Sequence, residues 1–110
     1  MTNASTLISE ILATYQRHGW QLRRMLLRAE TRAALDNEPD PAVGVVSKEA
    51  EFDALWFSRP SQREREAWEL RLITETPYAL FETFEADETE EQREEVRLEM
   101  EARMREYLQR

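Results

Sequence analysis

His18 is the only histidine in this 110-residue chain, and imidazole is the side chain most often recruited for acid–base or nucleophilic work near neutral pH. Such work needs partners, and they are scarce. The chain has no Cys, and no Ser sits in a Gly-x-Ser-x-Gly elbow. His18 follows an apolar-periodic segment, so a helix C-terminus, where a cation meets the negative end of the dipole, is the simpler account. Asp53, Glu69 and Glu82 fall in segments that read as neighbouring strands, and two carboxylates at the right separation could serve a hydrolase. With 35% of residues charged, such juxtapositions arise freely and carry no weight alone.

The acids Glu90, Glu91, Glu94, Glu95 and Glu99 recur at helical spacing and could offer oxygen ligands to a hard cation. No Asp-x-Asp-x-Asp-Gly loop, His-x-x-Glu or Glu-x-x-His accompanies them. A solvated helix face is the simpler account, and no metal is expected. Gly19 and Gly44 are the only glycines. A dinucleotide fingerprint or a P-loop needs several, because backbone must approach phosphate closely, so nucleotide binding through those motifs is excluded. No cofactor is expected.

Arg23, Arg24 and Arg28, with Trp20 nearby, combine base and aromatic as anion and nucleic-acid sites do. On a strand, Arg23 and Arg24 would point to opposite faces. Charge is unevenly spread. Five Arg and one Glu between Arg17 and Arg32 give a local net of +4, and eleven acids with four Arg between Glu82 and Glu106 give −7. The simple reading is two solvent faces of opposite sign; the sharper one is a basic patch for an acidic partner, a phosphate group or the chain's own acidic helix. The overall net charge of −8 argues against sequence-independent nucleic-acid binding, which needs a basic face.

The elements that must position these residues centre on Phe52 to Phe84, which holds two of the three Trp and all four Phe. Large aromatics dominate burial, so the fold is expected to be built around this stretch. Strands are predicted at about 53–58, 66–73 and 78–85. The middle one alternates best, with Trp68, Leu70 and Leu72 opposite Glu69 and Arg71. Pro60 ends the first strand, a charged loop spans Ser61 to Glu66, and Thr74 to Pro77 make a tighter turn.

Upstream, Leu7, Ile8, Ile11, Leu12 and Tyr15 share one face of a helix over 5–18, with Ser5 as the expected N-cap and Gly19 in the left-handed C′ position. That geometry would bring Trp20 against Tyr15. Residues 20–28 read as a strand with Trp20, Leu22 and Leu26 on one face, and Glu30 to Leu35 as a short helical turn. A helix over 20–36 with three strands is the runner-up. The two prolines at 39 and 41 make 38–50 a loop whose Val43-Gly44-Val45-Val46 could join a sheet edge. A last helix over about 90–109 opens with the capping box Thr89-x-x-Gln92. It carries Glu99–Arg103, Glu101–Arg105 and Glu106–Arg110 pairs and a narrow stripe of Val96, Met100, Met104, Tyr107 and Leu108.

The expected fold is one small α+β domain over 1–110: N-terminal helix, antiparallel sheet of about four strands with a β-meander core, C-terminal helix. No apolar run approaches the ~20 residues that span a bilayer, and the first residues lack the basic region of a signal peptide, so a cytoplasmic location without a membrane partner is expected.

The strands at 52–59 and 78–85 are apolar on both faces, whereas a sheet with one wet face should alternate. Either helices cover both faces or one face binds something. On that basis three functions are expected, in order. The first is a non-enzymatic protein-interaction module, self-associating as a homodimer, with Trp56, Phe57, Phe81, Arg23 and Arg24 as candidate binding residues. The second is a small-molecule binding domain whose pocket is walled by Trp56, Trp68, Tyr78 and Phe81, with Arg24 or Arg71 as polar anchor. The last is an enzyme using carboxylates with His18 or Arg.

Overall fold

The computed structural model describes residues 3–36 and 44–109. The first helix, α1 (Ala4–Arg17), starts two residues earlier than Ser5 would set it, because Asn3 supplies the cap: its Oδ1 accepts from the Thr6 N–H at 2.8 Å. It stops at Gly19 as the sequence predicts. Gly19 has φ +84°, its N–H donates to the Gln16 carbonyl and the Trp20 N–H to the Tyr15 carbonyl, each at 3.1 Å. This double closure folds Trp20 back onto Tyr15, edge to face, with ring centroids 6.0 Å apart.

The chain continues into strand β1 (Gln21–Leu27), helix α2 (Ala29–Leu35) and strand β2 (Val46–Glu49). The meander then runs through β3 (Ala54–Pro60), β4 (Glu66–Leu72) and β5 (Ala79–Phe84), and α3 (Glu90–Leu108) closes the fold. The fold is α+β with a mixed sheet in the order β2-β1-β3-β4-β5. It has five strands where about four were predicted. The addition is β2, which pairs parallel to β1 from Arg24↔Val46 to Leu27↔Glu49. Val46-Ser47-Lys48-Glu49 has one apolar residue and no alternation, because this edge strand lies largely exposed and its sequence is under no pressure to alternate. Of the segment Val43 to Val46, Val46 enters the sheet, whereas Val43 lies outside the described residues.

A second departure lies in β1. The β1–β3 register shifts between Leu22 and Arg24, so Arg23 is an extra residue in a bulge. A bulge resets the period of two. Trp20 and Leu22 therefore pack beside α1, while Leu26 falls on the opposite face with α3 rather than sharing theirs.

Two cores result, one on each side of the sheet. Ile8, Ile11 and Leu12 of α1 pack on Met25, Leu27, Leu55, Phe57, Ala67 and Ile73. Met100 and Met104 of α3 pack on Leu26, Ala54, Trp56, Trp68, Leu70 and Phe84. The two-sided apolar strand β3 thus finds cover within one chain: its residues from Ala54 to Ser58 are at most 1% exposed. Leu55 and Phe57, the latter a candidate binding residue, lie beneath α1.

Two stability measurements test this arrangement. Gly19→Ala is expected to destabilise by about 1–2 kcal/mol in urea unfolding, the cost of a Cβ in a left-handed residue, since nothing lies within 4 Å of the added atom to clash. Trp68→Ala is expected to cost about 3–5 kcal/mol; a loss below about 1 kcal/mol would show that the α3 core does not depend on this ring.

Candidate functional site

On the α1 face, the helix covers the centre of the sheet and stops short of β5. Odd-numbered residues of β4 and β5 point to this face. Near its centre Tyr15 stacks on Phe57, with ring centroids 4.1 Å apart, and its hydroxyl donates to a Glu69 carboxylate oxygen. Burial, then the hydrogen bond and negative charge of Glu69, push the Tyr15 hydroxyl well above its ordinary pKa; the nearby positive charge of Arg71 only partly opposes them. Arg71 is 8% exposed and donates from Nη1 to the Leu72 carbonyl. Beside it runs a groove of about 430 Å³ between α1 and the β4–β5 turn, walled by Leu7, Ile11, Thr14, Tyr15, Arg71 and Pro77, with Glu10 and Glu75 at its margins. Further along this face, Phe81 stands edge-on to Trp20 at 6.4 Å and remains 56% exposed. The Arg59 guanidinium lies over the Trp20 ring, 4.4 Å from its centroid, and donates to the His18 carbonyl at 2.7 Å.

The α3 face is polar where it meets the helix. Trp56 Nε1 donates to Glu101 at 3.0 Å, and both are buried. Arg97, 1% exposed, lies 4.4 Å over Trp68 and pairs with Glu90 and, at 2.8 Å, with Glu94. Glu94 also meets Arg24 at 3.4 Å. Burial alone would raise the Glu94 carboxyl, but the hydrogen bonds from Arg97 and Arg24 outweigh it and hold the group below its usual range. The contact between the basic N-terminal segment and the chain's own acidic helix, one of the three partners considered for the arginines, is therefore made by Arg24.

The candidate binding residues are not gathered in one place. Trp56 and Phe57 are fully buried on opposite faces of β3, Arg24 is engaged by Glu94, and Arg23 donates to Ser58 Oγ at 2.8 Å. Of the five, Arg23 and Phe81 are exposed, on different strands. Trp56 and Trp68 meet edge to face at 5.9 Å but fill the α3 core, Tyr78 stacks on Tyr107 at 3.7 Å, and Phe81 lies across the sheet from them, so the four wall no common pocket. Asp53 accepts from the Arg28 N–H at 2.8 Å and from Thr31 at 2.6 Å, while Glu69 and Glu82 lie on opposite faces, so the three carboxylates are dispersed. His18 is the C-cap residue, with Nδ1 2.8 Å from the Thr14 carbonyl. No cluster of three metal-ligating side chains exists among the described residues.

Sequence patterning missed Tyr15–Glu69 and the buried Arg97. Tyr15 was legible as an apolar helix position but not as a donor across 54 residues of chain. Arg97 sits three residues before Met100 on the stripe, and that spacing is the one signal that it faces inward.

The Tyr15 hydroxyl gives a pH test. Its pKa is raised in the folded protein, so its contribution to stability is complete below about pH 10, the unfolded value, and is lost as pH rises beyond it. Tyr15→Phe is expected to flatten the decline of unfolding free energy above pH 10, measured by urea titration. An unchanged slope would show that Tyr15 ionises normally.

Comparison of the chain with protein-family models, with curated proteins and with solved structures finds no match to any of them.

Proposed function

We propose that the protein is a non-enzymatic interaction module that self-associates as a homodimer through the free edge of β5. The supporting observation is the state of that edge. β5 ends the sheet order, and its six residues, Ala79-Leu80-Phe81-Glu82-Thr83-Phe84, hold register with β4 without a bulge. Exposed edges are ordinarily blunted with Lys, Pro, a bulge or a covering element. Here the strand has no Pro or Lys, one charge, and Phe81 standing out beside it. The other edge, β2, is shorter and carries Lys48 and Glu49.

Antiparallel pairing about a two-fold axis suits this sequence. With the axis at Phe81, the two Phe81 rings meet, each Leu80 faces a Glu82 and each Ala79 a Thr83. No Glu82 then opposes another directly, which like-charge pairing would penalise. Two-fold homodimers are the commonest assemblies, and edge addition uses main-chain hydrogen bonds for affinity. Since each copy carries a net charge of −8, salt should strengthen the association by screening repulsion. The absence of Cys and of glycine-rich phosphate motifs, and the dispersed carboxylates, support a role without catalysis.

The chain's lack of cysteine makes the test clean. Phe81→Cys is expected to form a disulfide dimer on mild oxidation, because directly opposed strand residues lie within bridging distance. Val46→Cys, on the opposite edge, should remain uncrosslinked. Light scattering after size exclusion should give a dimer mass at tens of micromolar for the unmodified protein and a monomer mass for Phe81→Lys. A monomer in both cases would overturn the reading.

A further inference from the structure

We infer that the groove between α1 and the β4–β5 turn binds a zwitterionic α-amino acid with an apolar side chain, its carboxylate on Arg71 and its ammonium group between Glu10 and Glu75. Arg71 is the carrying observation. It and Arg97 are the two arginines buried among the described residues, and their treatment differs. Arg97 pairs with the carboxylates of Glu90 and Glu94, although its Nη1 has no hydrogen-bond partner among the described residues. Arg71 has no carboxylate within ion-pairing distance among the described residues. Glu69, two residues earlier on the same face, is taken by the Tyr15 hydroxyl, and Arg71 donates from one guanidinium nitrogen to the Leu72 carbonyl and lies against the Tyr15 hydroxyl. A guanidinium has five N–H donors in a fork that matches a carboxylate, and an unmatched buried cation is costly. The groove of about 430 Å³ gives an anion access to it.

The rest of the lining selects the ligand. Leu7, Ile11 and Pro77 make an apolar wall for a hydrocarbon side chain. Glu10 and Glu75 put two negative charges on the exposed margin, which repel a phosphate or dicarboxylate but attract an ammonium group. One buried cation with two peripheral anions is the complement of a carboxylate and an amine joined to one apolar body. The volume is small but in the range of small-molecule sites. The site lies apart from the free edge of β5, so it stands or falls independently of the dimer.

Backbone amide NMR titration with leucine tests it, with 4-methylpentanoate, isopentylamine and inorganic phosphate as comparison probes. Leucine is expected to shift amides in 7–15 and 71–77. The two compounds that lack one charged group should bind about tenfold more weakly, the effect of losing one charge-assisted contact. Phosphate should not shift these amides. Arg71→Leu is expected to abolish the shifts. Because that variant removes a buried side chain, Glu75→Gln provides a second test at an exposed position: it should weaken leucine about tenfold and leave 4-methylpentanoate unchanged. No shift with millimolar leucine, binding of phosphate in preference to leucine, or leucine binding indifferent to Glu75→Gln would each overturn the assignment.

Discussion

The burial of β3 on both faces is the constraint from which the rest of this structure follows. Ala54, Leu55, Trp56 and Phe57 are 0% exposed, two side chains to each side of the sheet. A strand of this kind cannot be satisfied by one helix. The chain supplies two long ones, at its opposite ends, and lays one on each face. Every other feature is a means of bringing those ends to the same strand. The Gly19 stop turns the chain from α1 into β1, α2 carries it across to the parallel edge, and the meander returns it to α3. Because α1 and α3 are both required to seal β3, the core is complete only when almost the whole chain is in place.

The two helices are held by different physics. α1 packs by hydrocarbon: Ile8, Ile11 and Leu12 on a floor of Met25, Leu27, Leu55 and Phe57. α3 offers only Met100 and Met104 as fully buried apolar side chains, and its hold on the sheet is largely polar. Trp56 to Glu101, Arg97 over Trp68, Arg24 to Glu94 and Arg93 to Glu66 tie it to three strands. Buried polar contacts of this sort return little net free energy once desolvation is counted, but a shift of one residue along the helix would break all of them together. They fix where along its axis α3 sits, which two methionines with flexible side chains would specify poorly.

Much of this was legible in the sequence, and the gaps have physical causes. The strands of the meander follow from alternation and aromatic content, α3 from its capping box, which forms as read with Thr89 and Gln92 bonded reciprocally, and the end of α1 from Gly19. The bulge at Arg23 was not legible, since an extra residue leaves no mark on composition yet moves Leu26 to the other face. β2 was legible only through Val46, the end of a segment that could join a sheet edge, because an exposed edge places no demand on the side chains of Ser47 to Glu49. The Glu101–Arg105 pair expected along α3 gave way to tertiary partners, Glu101 turning inward to Trp56 and Arg105 reaching Glu51 at 3.1 Å, while Arg110 of the expected Glu106–Arg110 pair lies outside the described residues. Arg71 was singled out in the sequence as an anchor for a different, aromatic-walled pocket, and its setting beside α1 was not legible. Its neighbours Leu7, Ile11 and Tyr15 come from the other end of the chain, and no local pattern announces that approach.

The division of the interior into two cores has an optical consequence. Trp20 belongs to the α1 core, while Trp56 and Trp68 belong to the α3 core, and the sheet backbone separates them. Each layer therefore carries its own fluorophore. If α1 lifts while α3 stays seated, Trp20 meets water and the other two indoles do not. The protein thus reports, through its own tryptophans, whether its two layers open in concert or one at a time, a distinction between global and partial unfolding that is usually hidden in a single emission band.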